Sequence, residues 1–196
     1  IRQESSRHSQ LINEFFTSRF NKSFSTLNEK EKIGFLKSQI LSKKNKINNF
    51  KFRNKENKEV WSTFKLLAKE PSECLGAYVI SMTTSASDIL SVSFLQKEAN
   101  IENKLRVVPL FETLDDLINA KEIMETLFSQ NWYRKLIKNN QEVMIGYSDS
   151  SKDAGKICAN WHQYKAQEEI VKLGKKFNIN VTFFHGRGGS AGRGGG

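Results

Sequence analysis

The sequence has few of the residues that mark several common classes of protein. Only two cysteines, Cys74 and Cys158, and two prolines occur among its 196 residues. No Cys-x-x-Cys pair is present, which excludes a disulfide framework and a zinc site of the usual spacing and makes a reducing compartment the expectation. No apolar run approaches the ~20 residues that a membrane helix needs, and the start shows no signal core. Because the sequence begins at Ile1 without methionine and ends within a glycine run, we interpret it as a segment of a longer protein.

The composition is that of a globular chain with a basic surface. Hydrophobic residues make up 38% and charged residues 27%, which excludes a disordered or fibrous chain. Lysine and arginine total 31 against 21 acidic residues, giving a formal net charge of +10. This excess favours anionic partners, such as phosphorylated metabolites, nucleic acid or acidic lipids, without choosing among them.

The first 70 residues are predicted to be mainly helical. Apolar side chains recur at helical spacing from Leu11 to Phe16, and Asn28 with Glu31 forms a capping box before the next helix. A lysine- and asparagine-rich stretch, residues 42–58, is interpreted as a solvated basic loop. A further amphipathic helix follows and ends before Pro71.

Residues 71–196 alternate short apolar runs with amphipathic helices. The runs span residues 75–82, 105–111, 143–147 and 180–184, and each is a candidate buried strand. Helices are predicted to begin at residues 87–88, 113–116 and 150–153. The last of them is predicted to end at Gly174. The predicted core face of this last helix consists of Ile157, Cys158, Trp161, Tyr164 and Val171. Strand starts repeat every 30 to 40 residues, roughly the length of a βαβ unit. The chain is therefore predicted to be an α/β protein with a parallel sheet, either an open doubly wound sheet or part of a (β/α) barrel.

Chemistry-bearing residues concentrate where the candidate strands end. Glu112 follows the run at 105–111, residues 148–153 follow the run at 143–147, and His185 follows the last run. In a parallel α/β fold these positions share the carboxyl edge of the sheet, where ligands bind. Glu112 and Asp149 could supply the one or two carboxylates that Mg²⁺ usually takes from a protein. Surface positions and helix capping are the alternative interpretation of these two acids.

The tail from His185 to Gly196 is rich in glycine and carries Arg187 and Arg193. Glycine lets consecutive backbone N–H groups form an anion nest, and arginine adds a fork of donors matched to phosphate or carboxylate. It is neither a Walker loop nor a dinucleotide fingerprint. A flexible linker and a nucleic-acid-binding glycine-arginine segment are the alternatives, although the tail lacks interleaved aromatic residues.

Five strings in this sequence resemble those of phosphoenolpyruvate carboxylase, in the same order as in that family. They lie at residues 1–8, 78–82, 108–114, 146–155 and 184–196, so the resemblance runs through the whole sequence. The two most specific are the Ser-Asp-Ser-x-Lys-Asp-Ala-Gly string at 148–155 and the His-Gly-Arg-Gly-Gly-Ser string at 185–190. The match fades in the basic stretch at 42–58.

The resemblance implies a helix-rich (β/α)8 TIM-type barrel, of which this segment would form about half as a single incomplete catalytic unit. It also implies a cytoplasmic homotetramer that uses Mg²⁺ or Mn²⁺ to join phosphoenolpyruvate and bicarbonate, giving oxaloacetate and phosphate through carboxyphosphate and an enolate. It implies the following roles: metal ligands Glu112 and Asp149; catalytic residues Arg2, Lys152, His185, Arg187 and Arg193; and substrate-binding residues Leu110, Met144, Gly188 and Gly189. The resemblance further implies that an acidic feedback inhibitor binds at Arg193.

Two other functions are carried as alternatives. One is another metal-dependent enzyme that uses phosphoenolpyruvate, and the other is a nucleic-acid-binding module built from the basic loop and the tail. The essential histidine of the family lies in a string upstream of this segment, so the 196 residues alone are expected to be inactive. They are also expected to be poorly folded, because their barrel would not be closed.

Overall fold

The computed structural model describes residues 1–44, 46–47, 49–147, 149–150, 152 and 155–186. The described residues include five strands and seven α-helices. The strands are β1 (Arg2–Glu4), β2 (Ala77–Ser81), β3 (Arg106–Phe111), β4 (Asn140–Gly146) and β5 (Asn180–Gly186). The helices are α1 (Ser5–Phe20), α2 (Glu29–Leu41), α3 (Lys55–Leu67), α4 (Ala86–Glu98), α5 (Leu114–Phe128), α6 (Asn131–Leu136) and α7 (Lys156–Phe177).

The strands follow the order β1-β2-β3-β4-β5 in the sheet, and the β3·β4 and β4·β5 pairs are parallel. The predicted α/β class with parallel strands is therefore confirmed. The chain divides into two compact units that interleave along the sequence. The first contains residues 1–78 and 87–107, and the second contains residues 79–86 and 108–196.

The first unit is built on an aromatic core between helices. Phe35 of α2 meets Phe16 of α1 edge to face, with ring centroids 4.9 Å apart, and meets Phe94 of α4 at 6.2 Å. Aromatic edges carry partial positive charge and faces partial negative charge, so this geometry adds attraction to the apolar burial. The predicted capping box is confirmed, because Asn28 accepts from the backbone of Glu31 and the Glu31 carboxylate accepts from that of Asn28.

The basic stretch is less solvated than its composition suggests, so the prediction of a loop over 42–58 is partly wrong. Ile47 and Phe52 are buried within it, and α3 already begins at Lys55. The fully buried carboxylate of Glu98 accepts hydrogen bonds from the backbone N–H groups of Lys46 and Ile47, at 2.5 and 2.7 Å. A carboxylate that satisfies buried backbone donors lets a polar segment pack against the core.

A buried polar network joins α1, β1 and β2 within the first unit. His8 Nε2 lies 2.8 Å from the Tyr78 hydroxyl, which donates to Gln3 Oε1 at 2.6 Å. His8 Nδ1 is buried with no hydrogen-bond partner among the described residues. The imidazole is therefore neutral, with its proton on Nε2, because that nitrogen must donate to a hydroxyl whose own proton is used by Gln3.

Protonation of His8 should destabilise the folded protein. Burial, with a smaller contribution from the charge of Arg7, lowers the pKa of His8 from 6.5 to about 3. The unfolded chain therefore binds more protons than the folded chain between these two values, so stability present above pH 6.5 is lost as the pH falls through this range. We expect the free energy of unfolding to fall by about 2 kcal/mol between pH 7 and pH 5 from this group. Urea unfolding across this range measures it, and an equal slope in a His8→Gln variant would contradict the assignment.

In the second unit, helix α7 packs against α5 and against β5. Val143 and Ile145 of β4 are fully buried, whereas Glu142 and Met144 between them are half-buried. Since successive side chains of a strand point to opposite faces, one face of β4 is well covered and the other is more open. Tyr133 of α6 is buried in this unit, and its hydroxyl donates to Gln141 Oε1 of β4 at 2.7 Å.

Helix α7 does not stop at Gly174, so that prediction is wrong. The helix continues to Phe177, and Asn178 ends it in the left-handed conformation, with φ of 55°. A Cβ on Gly174 would lie 2.8 Å from Val181 Cγ2 and 2.9 Å from the Ile179 carbonyl oxygen. The glycine therefore lets the helix approach the start of β5, and it does not terminate the helix.

The predicted core face of α7 is also wrong. Ile157 is 88% exposed, Trp161 and Tyr164 are each 57% exposed, and Cys158 and Val171 are exposed as well. The buried side chains instead form a neighbouring stripe of mostly small and apolar residues, namely Ala159, Gln163, Ala166, Ile170 and Leu173. Hydrophobicity alone favoured the larger side chains, whereas the close contact with the strands requires small ones.

Candidate functional site

The carboxyl ends of β3, β4 and β5 are aligned by the register of the sheet. Leu110 pairs with Met144, Ile145 pairs with His185, and Gly146 pairs with Gly186. Leu110 and Met144, which the resemblance assigns to the substrate's apolar wall, are thus direct neighbours on adjacent strands. Leu110 is buried and Met144 is half-buried.

Glu112 directly follows β3 and is only 7% exposed. Its backbone N–H donates to Asp116 Oδ2 at 3.2 Å, and the same oxygen accepts from the Thr113 backbone at 3.1 Å. Thr113 Oγ1 in turn accepts from the Asp116 backbone at 3.1 Å, which completes a capping box at the predicted start of α5. The start of the helix therefore fixes the backbone from which the Glu112 carboxylate projects.

Gly146, the last residue of β4, makes room for Glu112. A Cβ at this position would lie 2.5 Å from Glu112 Cβ, 3.0 Å from Glu112 Cα and 3.4 Å from Leu110 Cδ1. No larger residue fits without moving the acid. Gly186 of β5 is less tightly enclosed, because a Cβ there would lie 2.7 Å from Met144 Cε, the end of a flexible side chain, and 3.4 Å from the Ile145 carbonyl oxygen.

Asp149 lies three residues beyond the end of β4, the strand next to the one that Glu112 follows. The Lys152 ammonium lies 2.9 Å from Asp149 Oδ1, and the Lys152 side chain is 74% exposed. Both predicted carboxylates therefore follow the carboxyl ends of neighbouring strands. Hard carboxylate oxygens are the donors that Mg²⁺ and Mn²⁺ take, and two of them leave the other coordination positions for water and substrate oxygens, so these residues fit such an ion.

Gln163 of α7 is a residue that the sequence did not single out. It is 3% exposed, and its side-chain amide donates to the Gly146 carbonyl oxygen at 3.2 Å and to Ser150 Oγ at 2.9 Å. This one amide ties the end of β4 to the segment that carries Asp149. Its signal in the sequence is a polar residue within a helical stripe of small and apolar ones.

His185 lies in β5, and Tyr147 lies just beyond β4. The Tyr147 hydroxyl is 2.6 Å from His185 Nδ1. Tyr147 was not predicted as a site residue, because only the register of β4 against β5 brings the two side chains together.

Of the remaining predicted site residues, only Arg2 is among the described residues. Arg2 is an exposed residue of β1 in the first unit. Arg187, Gly188, Gly189 and Arg193 lie outside the described residues. Within the described part of the chain, no group of three or more histidine, cysteine or acidic side chains could hold a metal. None of the described helices is both long and apolar enough to cross a membrane.

The fold and this site define a class of α/β proteins that gather acidic and polar side chains at the carboxyl ends of parallel strands. Within that class, the chain belongs to the phosphoenolpyruvate carboxylase family, whose pattern matches residues 1–196. It is 48% identical over 196 residues to C4 phosphoenolpyruvate carboxylase from Flaveria trinervia, and 45% identical over 196 residues to phosphoenolpyruvate carboxylase 1 from Sorghum bicolor. It is also 48% identical over 202 residues to phosphoenolpyruvate carboxylase from Acinetobacter baylyi. Each comparison covers 100% of this chain but only 20%, 20% and 23% of the respective relative, so the chain spans about a fifth of their length.

Proposed function

We propose that this chain is part of a catalytic (β/α)8 barrel that joins phosphoenolpyruvate and bicarbonate to give oxaloacetate and phosphate. The observation that carries the proposal is the match to one family over all 196 residues. The close approach of Gly146 to Glu112 supports it, because this contact fixes an acid at the strand ends where barrels bind ligands. The whole-chain match favours this activity over another phosphoenolpyruvate-using enzyme or a nucleic-acid-binding module.

The proposed reaction has two stages. A bicarbonate oxygen attacks the phosphorus of phosphoenolpyruvate and the bridging P–O bond breaks, giving carboxyphosphate and the enolate of pyruvate. Carboxyphosphate then divides into carbon dioxide and phosphate, and the enolate carbon forms the new C–C bond to carbon dioxide. All reacting species are anions or arise from anions, so the site must offset negative charge and hold the partners in line.

Glu112 and Asp149 would hold the divalent ion in this proposal. When bound, Mg²⁺ or Mn²⁺ supplies positive charge that offsets the anionic substrates and the developing enolate charge. The Lys152 ammonium, beside Asp149, and Arg2, Arg187 and Arg193 supply further positive charge for bicarbonate, carboxyphosphate and phosphate. Leu110 and Met144 give an apolar wall for the methylene group.

Several whole-protein properties belong to the same proposal. They are the homotetramer, a cytoplasmic location, binding of an acidic feedback inhibitor at Arg193, substrate binding by Gly188 and Gly189, and closure of the glycine-rich segment at 186–196 over the site. Such closure would keep water from the enolate and hold carbon dioxide until it reacts.

The test is carboxylation by a full-length polypeptide that carries these residues, measured by coupling oxaloacetate to malate dehydrogenase. We expect bicarbonate-dependent turnover, and a loss of about 10²–10³-fold in kcat/KM on Arg187→Ala, because a guanidinium that offsets transition-state charge is removed. Arg19→Ala is the matched control, since Arg19 is an exposed arginine of α1. No bicarbonate dependence in the unsubstituted protein would rule out the proposed function, and full activity of Arg187→Ala would remove that residue's role.

A further inference from the structure

Tyr147 and His185 form a close pair at the ends of two adjacent strands. The Tyr147 hydroxyl lies 2.6 Å from His185 Nδ1, and the ring centroids are 5.9 Å apart with planes inclined by 49°. His185 pairs with Ile145 in the register, and Tyr147 is two residues beyond Ile145. Tyr147 therefore lies just beyond the strand position opposite His185, within reach of its ring.

Either atom of this contact could donate, and its short length favours one of the two assignments. An N–H donor typically lies about 2.7–3.2 Å from an oxygen acceptor, whereas hydroxyl donors commonly make bonds as short as about 2.5 Å. At 2.6 Å the contact suits the phenol O–H as donor and Nδ1 as acceptor. A neutral imidazole that accepts at Nδ1 carries its proton on Nε2.

We propose that Tyr147 is a positioning residue that fixes His185 as the Nε2–H tautomer, so that His185 presents a hydrogen-bond donor to an anionic substrate oxygen. This inference rests on the proposed function, which places His185 in a site for phosphoenolpyruvate and bicarbonate. The carboxylate and phosphoryl oxygens of these substrates accept hydrogen bonds. A protonated Nε2 can donate to these oxygens, whereas the lone pair of an unprotonated Nε2 would repel them. Holding the tautomer in advance avoids reorganising the ring when substrate binds.

Two substitutions of His185 distinguish the contribution of a hydrogen-bond donor at the Nε2 position from that of the contact at the Nδ1 position. The amide nitrogen of glutamine can reach the place of Nε2, whereas the amide of asparagine reaches only that of Nδ1. In the full-length enzyme, His185→Gln is expected to keep kcat/KM for phosphoenolpyruvate within about tenfold of the unsubstituted value, and His185→Asn to lose about 10²-fold. Equal activity of the two variants would overturn the donor role.

The positioning role of Tyr147 is tested by combining substitutions. Tyr147→Phe is expected to lower kcat/KM by about fivefold to tenfold when His185 is present, because one hydrogen bond is lost. It should have no further effect in the His185→Gln background, where the ring nitrogen that it orients is gone. The same fold loss in both backgrounds would show a merely structural role and overturn the inference. Tyr164→Phe, at an exposed tyrosine of α7, is the matched control and should leave activity unchanged.

The outcomes distinguish this inference from the proposed function on which it rests. Active enzyme with no loss on Tyr147→Phe overturns the inference alone. An unsubstituted full-length enzyme without bicarbonate-dependent carboxylation overturns the proposed function, and the role of His185 with it.

Discussion

Glu112→Gln in the full-length enzyme is expected to lower the rate of carboxylation by about 10²–10³-fold and to raise the Mn²⁺ concentration needed for half-maximal activity. Glutamine has nearly the shape of glutamate, so the packing beside Gly146 should survive. What is lost is the negative charge of one of the two carboxylates proposed to hold the ion, because the amide oxygen of glutamine is a neutral and weaker donor. Steady-state rates across a Mn²⁺ titration measure both effects.

The matched control for this change is Glu122→Gln. Glu122 is an exposed residue of α5 in the same unit, and the same charge is removed away from the strand ends. It should alter neither turnover nor metal activation. If Glu112→Gln behaved like this control, Glu112 would not be a metal ligand.

Gly146→Ala is expected to have the second large effect, although it adds only one methyl group. The new Cβ would meet Glu112 Cβ at 2.5 Å and the Glu112 backbone at 3.0 Å, so no flexible side-chain end can yield. Forcing such a group into a packed region costs about 1–3 kcal/mol of stability and moves the neighbours. Because the displaced neighbour is Glu112, we also expect weaker Mn²⁺ activation and a loss of activity well beyond what the lost stability causes.

Alanine substitutions at two other glycines distinguish the loss of stability from the loss of metal activation. Gly174→Ala meets Val181 and the Ile179 carbonyl at 2.8 and 2.9 Å, so it should destabilise the second unit without changing metal activation. Gly34 of α2 has no atom within 4 Å of an added Cβ, and Gly34→Ala should stabilise its helix by roughly 0.5–1 kcal/mol with activity unchanged. Unfolding curves and Mn²⁺ titrations of the three variants are compared. Normal metal activation in Gly146→Ala would show that the contact with Glu112 does not shape the site.

Elements with a clear local signal could be predicted from the sequence. The run that becomes β3 is apolar from Val107 to Phe111, and Thr113 with Asp116 marks the start of α5 by hydrogen bonds between residues three apart. By contrast, β1 is three residues of mostly polar sequence and α6 is six residues long, so neither has enough residues to show a period. The predicted third run began at residue 143, whereas β4 begins at Asn140, because the polar Gln141 is buried through its bond to Tyr133.

The candidate site was predictable only in part for a related reason. Glu112 and Asp149 follow apolar runs, and the rule that parallel strands end at a common edge identifies them. The Gly146 contact, the Tyr147–His185 pair and the Gln163 amide depend on the register of β3, β4 and β5 and on which stripe of α7 is buried. These are outcomes of packing between distant segments, and no local pattern of the sequence encodes them.

Anomalous diffraction from crystals of the full-length enzyme grown with Mn²⁺ would locate the divalent ion and its ligands. We expect one strong manganese peak with a carboxylate oxygen of Glu112 and one of Asp149 both in its coordination sphere, at about the 2.0–2.1 Å expected for a small divalent ion. The same peak should be lost in Glu112→Gln crystals. A manganese ion bound elsewhere, or held by only one of these two acids, would show that Glu112 and Asp149 do not form the metal site together.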